Sequence, residues 1–249
     1  MTFKDHFSEQ ATDYAKYRPN YPQELFAYVT SLATSRQYAW DCATGNGQAA
    51  VGLAEFFERV IATDASAKQI LSAEQNARVQ YRVAPAEKSG LSSGSMDLIT
   101  VAQALHWFDL DAFYMEAKRV LKPQGVLAVW CYNLLEIAPE VDAIVNRFYS
   151  ETVGPYWPIE RKIIEDRYQT ILFPFDELHS PVLAMKAHWS LAQLVGYLRT
   201  WSATQAFTAA NRTDPIESII SDLSAAWRNP NWQRLVSWPL TIRAGRLIP

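Results

Sequence analysis

The chain has 249 residues, nearly half of them apolar (49%), so a single large domain with a sizeable buried core is expected and global disorder is excluded. A formal net charge of −3, without any run of Lys and Arg, excludes a general affinity for nucleic-acid phosphates. No apolar stretch reaches the roughly 18 residues that a membrane helix needs, and the opening MTFKDHFSEQ has no apolar segment before a cleavage site, so the expectation is a soluble cytoplasmic protein without a membrane partner.

Residues 1–20 are polar and aromatic without periodicity. A helix is expected from Pro22, where a missing N–H costs nothing, because Leu25, Phe26, Tyr28, Val29 and Leu32 recur at helical spacing. From residue 38 short apolar runs alternate with helical patterns. Strands are predicted over 38–41, 60–64, 79–84, 96–101 and 126–132, and helices over 49–57, 67–76 and 110–121. That alternation is the mark of an α/β fold with a parallel sheet wrapped by crossover helices. Lys122-Pro123-Gln124-Gly125 stops the helix before the last of these strands.

Beyond residue 133 the spacing predicts helices around 140–150 and 160–171, a strand over 182–189, helices near 191–201 and 215–227, and an alternating strand over 235–246. Cys42 and Cys131 fall at the ends of two strands that are not neighbours, and a disulfide needs Cα atoms within about 7 Å, so both are expected as free thiols.

Chemistry concentrates after the first strand, in Asp41-Cys42-Ala43-Thr44-Gly45-Asn46-Gly47. Gly45 and Gly47 allow a tight turn and a close approach of backbone to a ligand. Asp64 ends the second strand, where a carboxylate accepts from both hydroxyls of a ribose. Gly45-x-Gly47-x-x-Ala50 also satisfies the general dinucleotide fingerprint. Asp41 separates the two readings: a carboxylate repels the pyrophosphate of a dinucleotide but attracts the sulfonium and ammonium of S-adenosylmethionine. A plain turn-capping role for Asp41 stays open.

These residues resemble the successive motifs of class I S-adenosylmethionine-dependent methyltransferases: Asp41 to Gly47, Asp64, Ala86-Glu87 and Met96-Asp97-Leu98-Ile99. The flanks are similar to the trans-aconitate methyltransferase-like (methyltransferase type 11) group. They comprise Phe7-Ser8, Ala11, Tyr14, Tyr17-Arg18-Pro19 and Tyr21-Pro22, then Gln103-Ala104-Leu105-His106-Trp107-Phe108 and Tyr197-Leu198-Arg199-Thr200-Trp201-Ser202. The resemblance implies a Rossmann-like seven-stranded sheet, mostly parallel with the last strand antiparallel, and a cofactor over the C-terminal strand ends. It implies that Asp41, Ala43, Gly45 and Gly47 border the methionine part, that Asp64 and Ala65 border the ribose, and that Ala86, Glu87 and Gln103 complete the cofactor site. The family usually has glycine where Ala43 stands. The resemblance also brings residues 1–37 over the cofactor, with Tyr14, Tyr17 or Arg18 near its carboxylate, in one domain with a core over 38–133. Helical cover over 134–180 and 190–232 would then enclose the acceptor, with last strands over 181–189 and 235–246.

The expected reaction is in-line methyl transfer to a small-molecule acceptor, a carboxylate by family analogy, leaving S-adenosylhomocysteine. His106 is the candidate base, should the acceptor need one. Tyr17, Trp107, Trp130, Trp157, Arg199 and Trp201 are the candidate acceptor contacts, as aromatic walls and a guanidinium anchor. His6, His106, His179 and His188 share no ligand spacing with one another or with a cysteine, so no metal site is expected. The rivals are an NAD-dependent oxidoreductase and a non-catalytic protein that keeps the cofactor as a ligand.

Overall fold

A computed structural model describes residues 19–247, so Tyr14, Tyr17 and Arg18 lie outside the described residues. The five apolar runs form parallel strands: β1 (Tyr38–Cys42), β2 (Arg59–Asp64), β3 (Val79–Val83), β4 (Met96–Ala102) and β5 (Leu121–Tyr132). β6 (Asp176–Leu178), β7 (Leu183–Trp189) and β8 (Arg234–Arg246) complete the sheet, in the order β3-β2-β1-β4-β5-β8. β8 runs antiparallel to β5. Its outer edge is shared, β6 pairing with Ala244 to Arg246 and β7 with Arg234 to Leu240. Eight segments therefore fill seven positions, the mostly parallel arrangement with an antiparallel last strand expected from the sequence.

Both faces of the sheet are covered, which is why its strands are nearly continuous apolar runs. On β5, Val126, Ala128 and Trp130 point into one core with Leu25 and Val29 of α1 (Gln23–Ser31) and Ala50 and Leu53 of α2 (Gln48–Ala54). Leu127, Val129 and Cys131 point to the opposite face, with Phe113, Ala117 and Val120 of α4 (Leu110–Val120). Between these two helices, α3 (Ala67–Ser72) connects β2 to β3. Burying each large apolar side chain contributes about 1.5–3 kcal/mol, so the two layers fix the strand order. Cys42 and Cys131 are free and buried, as expected.

Helix ends depart from expectation for local reasons. α3 stops at Ser72 and not at 76, because Ala73 is extended and the Glu74 amide donates to Asn46 O at 3.0 Å. The stop at 122–125 is an excursion within β5, with Gln124 at φ 64° and Gly125 so close to its neighbours that a Cβ would meet Lys122 O at 2.8 Å.

In the second half, α5 (Pro139–Arg147) is continued by a π-helical turn, Phe148–Thr152. α6 (Arg161–Glu165) ends well before 171, because Arg167 and Tyr168 take positive φ. The helix expected over 191–201 is α7 (Leu191–Arg199), which stops where Trp201 becomes extended, and a further helix outside the expected ranges, α8 (Ser202–Asn211), follows. α9 (Ile220–Trp227) follows. β6 was not anticipated, its three residues being too few to carry a period. No helix of the described residues is long and apolar enough to cross a membrane.

Candidate active site

The loop after β1 is built around Asp41. Its side chain is wholly buried, with Oδ2 accepting from Thr44 Oγ1 at 2.5 Å and Oδ1 from Thr100 Oγ1 of β4 at 2.8 Å. Burial raises its pKa from 3.8 to about 6, against the two threonine hydroxyls, which lower it, and with a further push from the nearby Asp64 charge. Asp41 is thus a turn organiser beneath the loop, not an open carboxylate; its charge still persists at neutral pH. Ala43 sits at φ 54°, in the left-handed region where a Cβ is strained, and Gly45 and Gly47 follow at φ 56° and 86°.

The two glycines differ in what surrounds them. A Cβ at Gly47 would come within 2.2 Å of Tyr81 Oη, so that residue serves packing against β3. A Cβ at Gly45 would meet nothing of the described residues within 4 Å. The open face of the loop is therefore over Gly45. Beside it the Asp64 carboxylate accepts from the Gly45 amide (2.9 Å) and, through its other oxygen, from the Ser66 amide (2.8 Å). Ala65 follows Asp64, Ala86 is buried, and Glu87 Oε1 accepts from the Asp109 amide at 3.1 Å. Gln103, at φ 56°, turns its amide back onto β5, donating to Tyr132 O (3.0 Å) and accepting from Tyr132 N (2.8 Å). The side chain expected to touch a cofactor thus extends the β4–β5 ladder.

A pocket of about 60 Å³ opens at the same end of the sheet, lined among others by Gln103, His106, Trp107, Trp157, Arg161 and Trp201. Arg161 was not anticipated. Its guanidinium stacks on Trp157 with its central carbon 4.6 Å from the ring centre. It donates to Asn133 Oδ1 (2.8 Å) and to the Tyr149 hydroxyl (3.1 Å), and that hydroxyl in turn is bound to Glu165. Among the described residues no carboxylate forms an ion pair with Arg161. His106 is buried beside it, with Nδ1 lacking a protein partner. Burial first, and the Arg161 charge second, lower its pKa from 6.5 to about 3.

A methyltransferase-domain family model matches residues 40–129, the stretch that carries the loop and β5. The chain is 40% identical over 230 residues to a Dictyostelium discoideum protein provisionally named a methyltransferase, covering 91% of this chain and 88% of that one. A solved structure from Anaeromyxobacter dehalogenans, provisionally named a type II methyltransferase, superposes with a TM-score of 0.88 at 46% identity, covering 94% of this chain and 99% of that one. The chain belongs to the class I S-adenosylmethionine-dependent methyltransferases. A Saccharomyces cerevisiae protein provisionally named for the same cofactor is 24% identical across 86% of this chain and 85% of its own length.

The donor of this family fits the residues present. The space over Gly45 is what a glycine-lined cofactor cradle requires, and the Asp64 carboxylate stands at its edge at the end of β2, bound to the Gly45 and Ser66 amides.

Of the acceptor candidates in this methyltransferase, Trp107, Trp157 and Trp201 line the pocket, together with His106. Trp130 does not. It is fully buried in the core, edge-on to Tyr21 at 5.5 Å, because β5 alternates and position 130 shares the face of Val126 and Ala128. Arg199 is also elsewhere: it pairs with Asp214 at 2.8 Å and Glu217 at 3.7 Å at the exposed end of α7. Arg243 ties β8 to Glu177 of β6 and to the Tyr168 and Ile171 carbonyls. No spacing rule points to Arg161: Trp157 is extended and precedes α6, so the helical four-residue pairing does not apply and the contact is made by the turn between them. Among the described residues no group of three or more His, Cys, Asp or Glu is arranged to hold a metal ion.

Proposed function

We propose that this methyltransferase acts on a small organic acid and makes its methyl ester. The observation that supports this most is Arg161, among the described residues the one charged side chain lining the pocket and one without a carboxylate ion-pair partner. A guanidinium offers a carboxylate paired donors, and its stack on Trp157 holds those donors in one plane. His106 supports the same reading from the other side. With its pKa near 3 it is a poor base at neutral pH, and an ionised carboxylate needs none. Among the described residues of this pocket, a phenol or amine acceptor would find no histidine or carboxylate suited to take its proton.

S-adenosylmethionine, when bound, supplies an electrophilic methyl: an acceptor oxygen lone pair forms the new C–O bond, and the S–C pair returns to sulfur. Arg161 orients the carboxylate, and Trp107, Trp157 and Trp201 exclude water from the site of transfer. Sulfonium and carboxylate charges cancel in that step, so no proton is released, whereas methylation of a phenol or an ammonium releases one.

The test is turnover of methyl-labelled donor against a panel of carboxylic acids, phenols and amines, with pH-stat detection of protons. Ester formation with no proton per turnover is the expected result. One proton released per methyl transferred, or binding of S-adenosylhomocysteine without turnover across the panel, would overturn the reading.

A further inference from the structure

The pocket holds one cation and a cluster of rings, and that ratio says more about the acceptor than its acidity. Trp157, Trp201 and Tyr197 line the pocket as one packed aromatic wall, with Tyr149 behind them. Trp157 lies 5.0 Å from Tyr149 and 5.6 Å from Trp201, and Trp201 lies edge-on to Tyr149 at 5.7 Å and to Tyr197 at 5.9 Å. Trp107 stands next to His106, ring centres 4.7 Å apart, at the other side of the same pocket. The polar lining side chains are neutral apart from Arg161: Gln103, Asn133, Ser202 and an imidazole kept uncharged.

A single guanidinium pairs with a single carboxylate. A second carboxylate on the same molecule would sit against indole and phenol rings with no cation of the described residues to meet it, and an unpaired buried charge is strongly disfavoured. Ring walls, by contrast, reward a flat π surface through offset and edge-on contacts beyond what area burial gives.

Resting on the carboxylate reading above, we infer that the acceptor is a planar, conjugated or aromatic monocarboxylic acid and not a polycarboxylate. Its ring lies against the wall made by Trp157 and Trp201, and its one carboxylate is held by Arg161. Two residues determine this specificity separately. Arg161 selects one anionic group, and Trp157, fixed by a bond from its indole N–H to Tyr149 O at 3.2 Å, selects flatness and orients the guanidinium stacked on it.

The experiment is calorimetric binding, in saturating S-adenosylhomocysteine, of benzoate, trans-cinnamate, cyclohexanecarboxylate and propane-1,2,3-tricarboxylate, repeated on Trp157→Leu and Arg161→Gln. Turnover of the same four acids is measured in parallel. Binding of benzoate or cinnamate at least tenfold tighter than cyclohexanecarboxylate and the tricarboxylate is expected. Trp157→Leu should erase the preference over cyclohexanecarboxylate, and Arg161→Gln should weaken all the acids. Retention of S-adenosylhomocysteine binding by both variants establishes that they are folded. Equal or tighter binding of the tricarboxylate, with ester formed, overturns the inference and leaves the carboxylate reading intact. Failure of every acid to bind or turn over, with phenols or amines methylated instead, removes both.

Discussion

The Gly45 amide donates to Asp64 Oδ2 at 2.9 Å, so one bond joins the loop after β1 to the end of β2. The same carboxylate accepts from Ser66 N through Oδ1. Asp64 therefore shapes the loop beside the space over Gly45, where the family resemblance puts the ribose.

Replacing Asp64 should consequently weaken cofactor binding in two grades. Wild-type protein is expected to bind S-adenosylhomocysteine in the micromolar range, about −8 kcal/mol, and NAD not at all. Asp64→Asn keeps one acceptor oxygen and should lose about tenfold. Asp64→Ala also frees the loop and should lose about a hundredfold or more. Isothermal titration reads all three, and an Asp64→Ala protein that binds like wild type would exclude the ribose role.

The loop glycines should separate stability from binding. Gly47→Ala forces a Cβ to within 2.2 Å of a Tyr81 hydroxyl that is itself held by Glu74 O at 2.6 Å, at φ 86°, so a loss of about 1–3 kcal/mol is expected. That corresponds to a fall of about 2–4 °C in Tm for each kcal/mol at this chain length. Gly45→Ala meets no atom of the described residues and should cost only about 1 kcal/mol of backbone strain, yet reduce S-adenosylhomocysteine affinity at least tenfold. Ala43→Gly, at φ 54°, should be neutral or stabilising by up to about 1 kcal/mol. Thermal melts with and without S-adenosylhomocysteine distinguish the three; equal losses of stability at 45 and 47 would contradict the assignment.

The half of the chain that binds the donor was legible because its rules are local. Buried parallel strands are written as apolar runs, and a tight turn between strand and helix must be written in glycine. The acceptor half obeys tertiary constraints instead. Nothing in the spacing around Tyr168 announces that it will turn left-handed and end α6 at Glu165, and three residues at 176–178 are too few for a period. Side-chain direction was harder still. Trp130 was assigned to the mouth from its position near a strand end, but the two-residue alternation of β5 sends it into the core. Arg199 adjoins the aromatic stretch that does reach the pocket, yet at the end of α7 it turns to Asp214. In the sequence the charge of Asp41 serves to separate two cofactor readings, with a turn-capping role left open, and the structure adds that its two oxygens accept from threonines, one of them 59 residues away in sequence.

Acid should unfold the protein partly through Glu116. Hydrogen bonds from Arg119 and from the Ser89 hydroxyl and amide lower its pKa from 4.5 to about 2. A depressed carboxylate contributes stability that is complete above pH 4.5 and disappears as pH falls towards 2. Arg119 is 40% exposed, so solvent screens part of the pair and a contribution of about 1–2 kcal/mol is expected. Denaturant melts of Glu116→Gln should be less stable than wild type at pH 7 and converge with it near pH 2. A constant difference across that range would mean that packing, and not ionisation, is responsible.

His106 gives the opposite kind of pH signature, one visible in catalysis by its absence. Its ordinary pKa of 6.5 falls to about 3 in the pocket, so the imidazole is neutral throughout the working range and cannot gate the reaction. Log kcat/KM should therefore be flat between about pH 5 and 8, provided the acceptor stays ionised. His106→Gln should reduce the rate by less than about tenfold without changing that shape. Stability behaves differently, because the unfolded state takes up the proton that the folded state refuses. Wild type should lose stability relative to His106→Gln as pH drops from 6.5 towards 3. A unit slope in log kcat/KM below pH 6.5 that His106→Gln abolishes would make the imidazole a general base, and would count against a carboxylate acceptor.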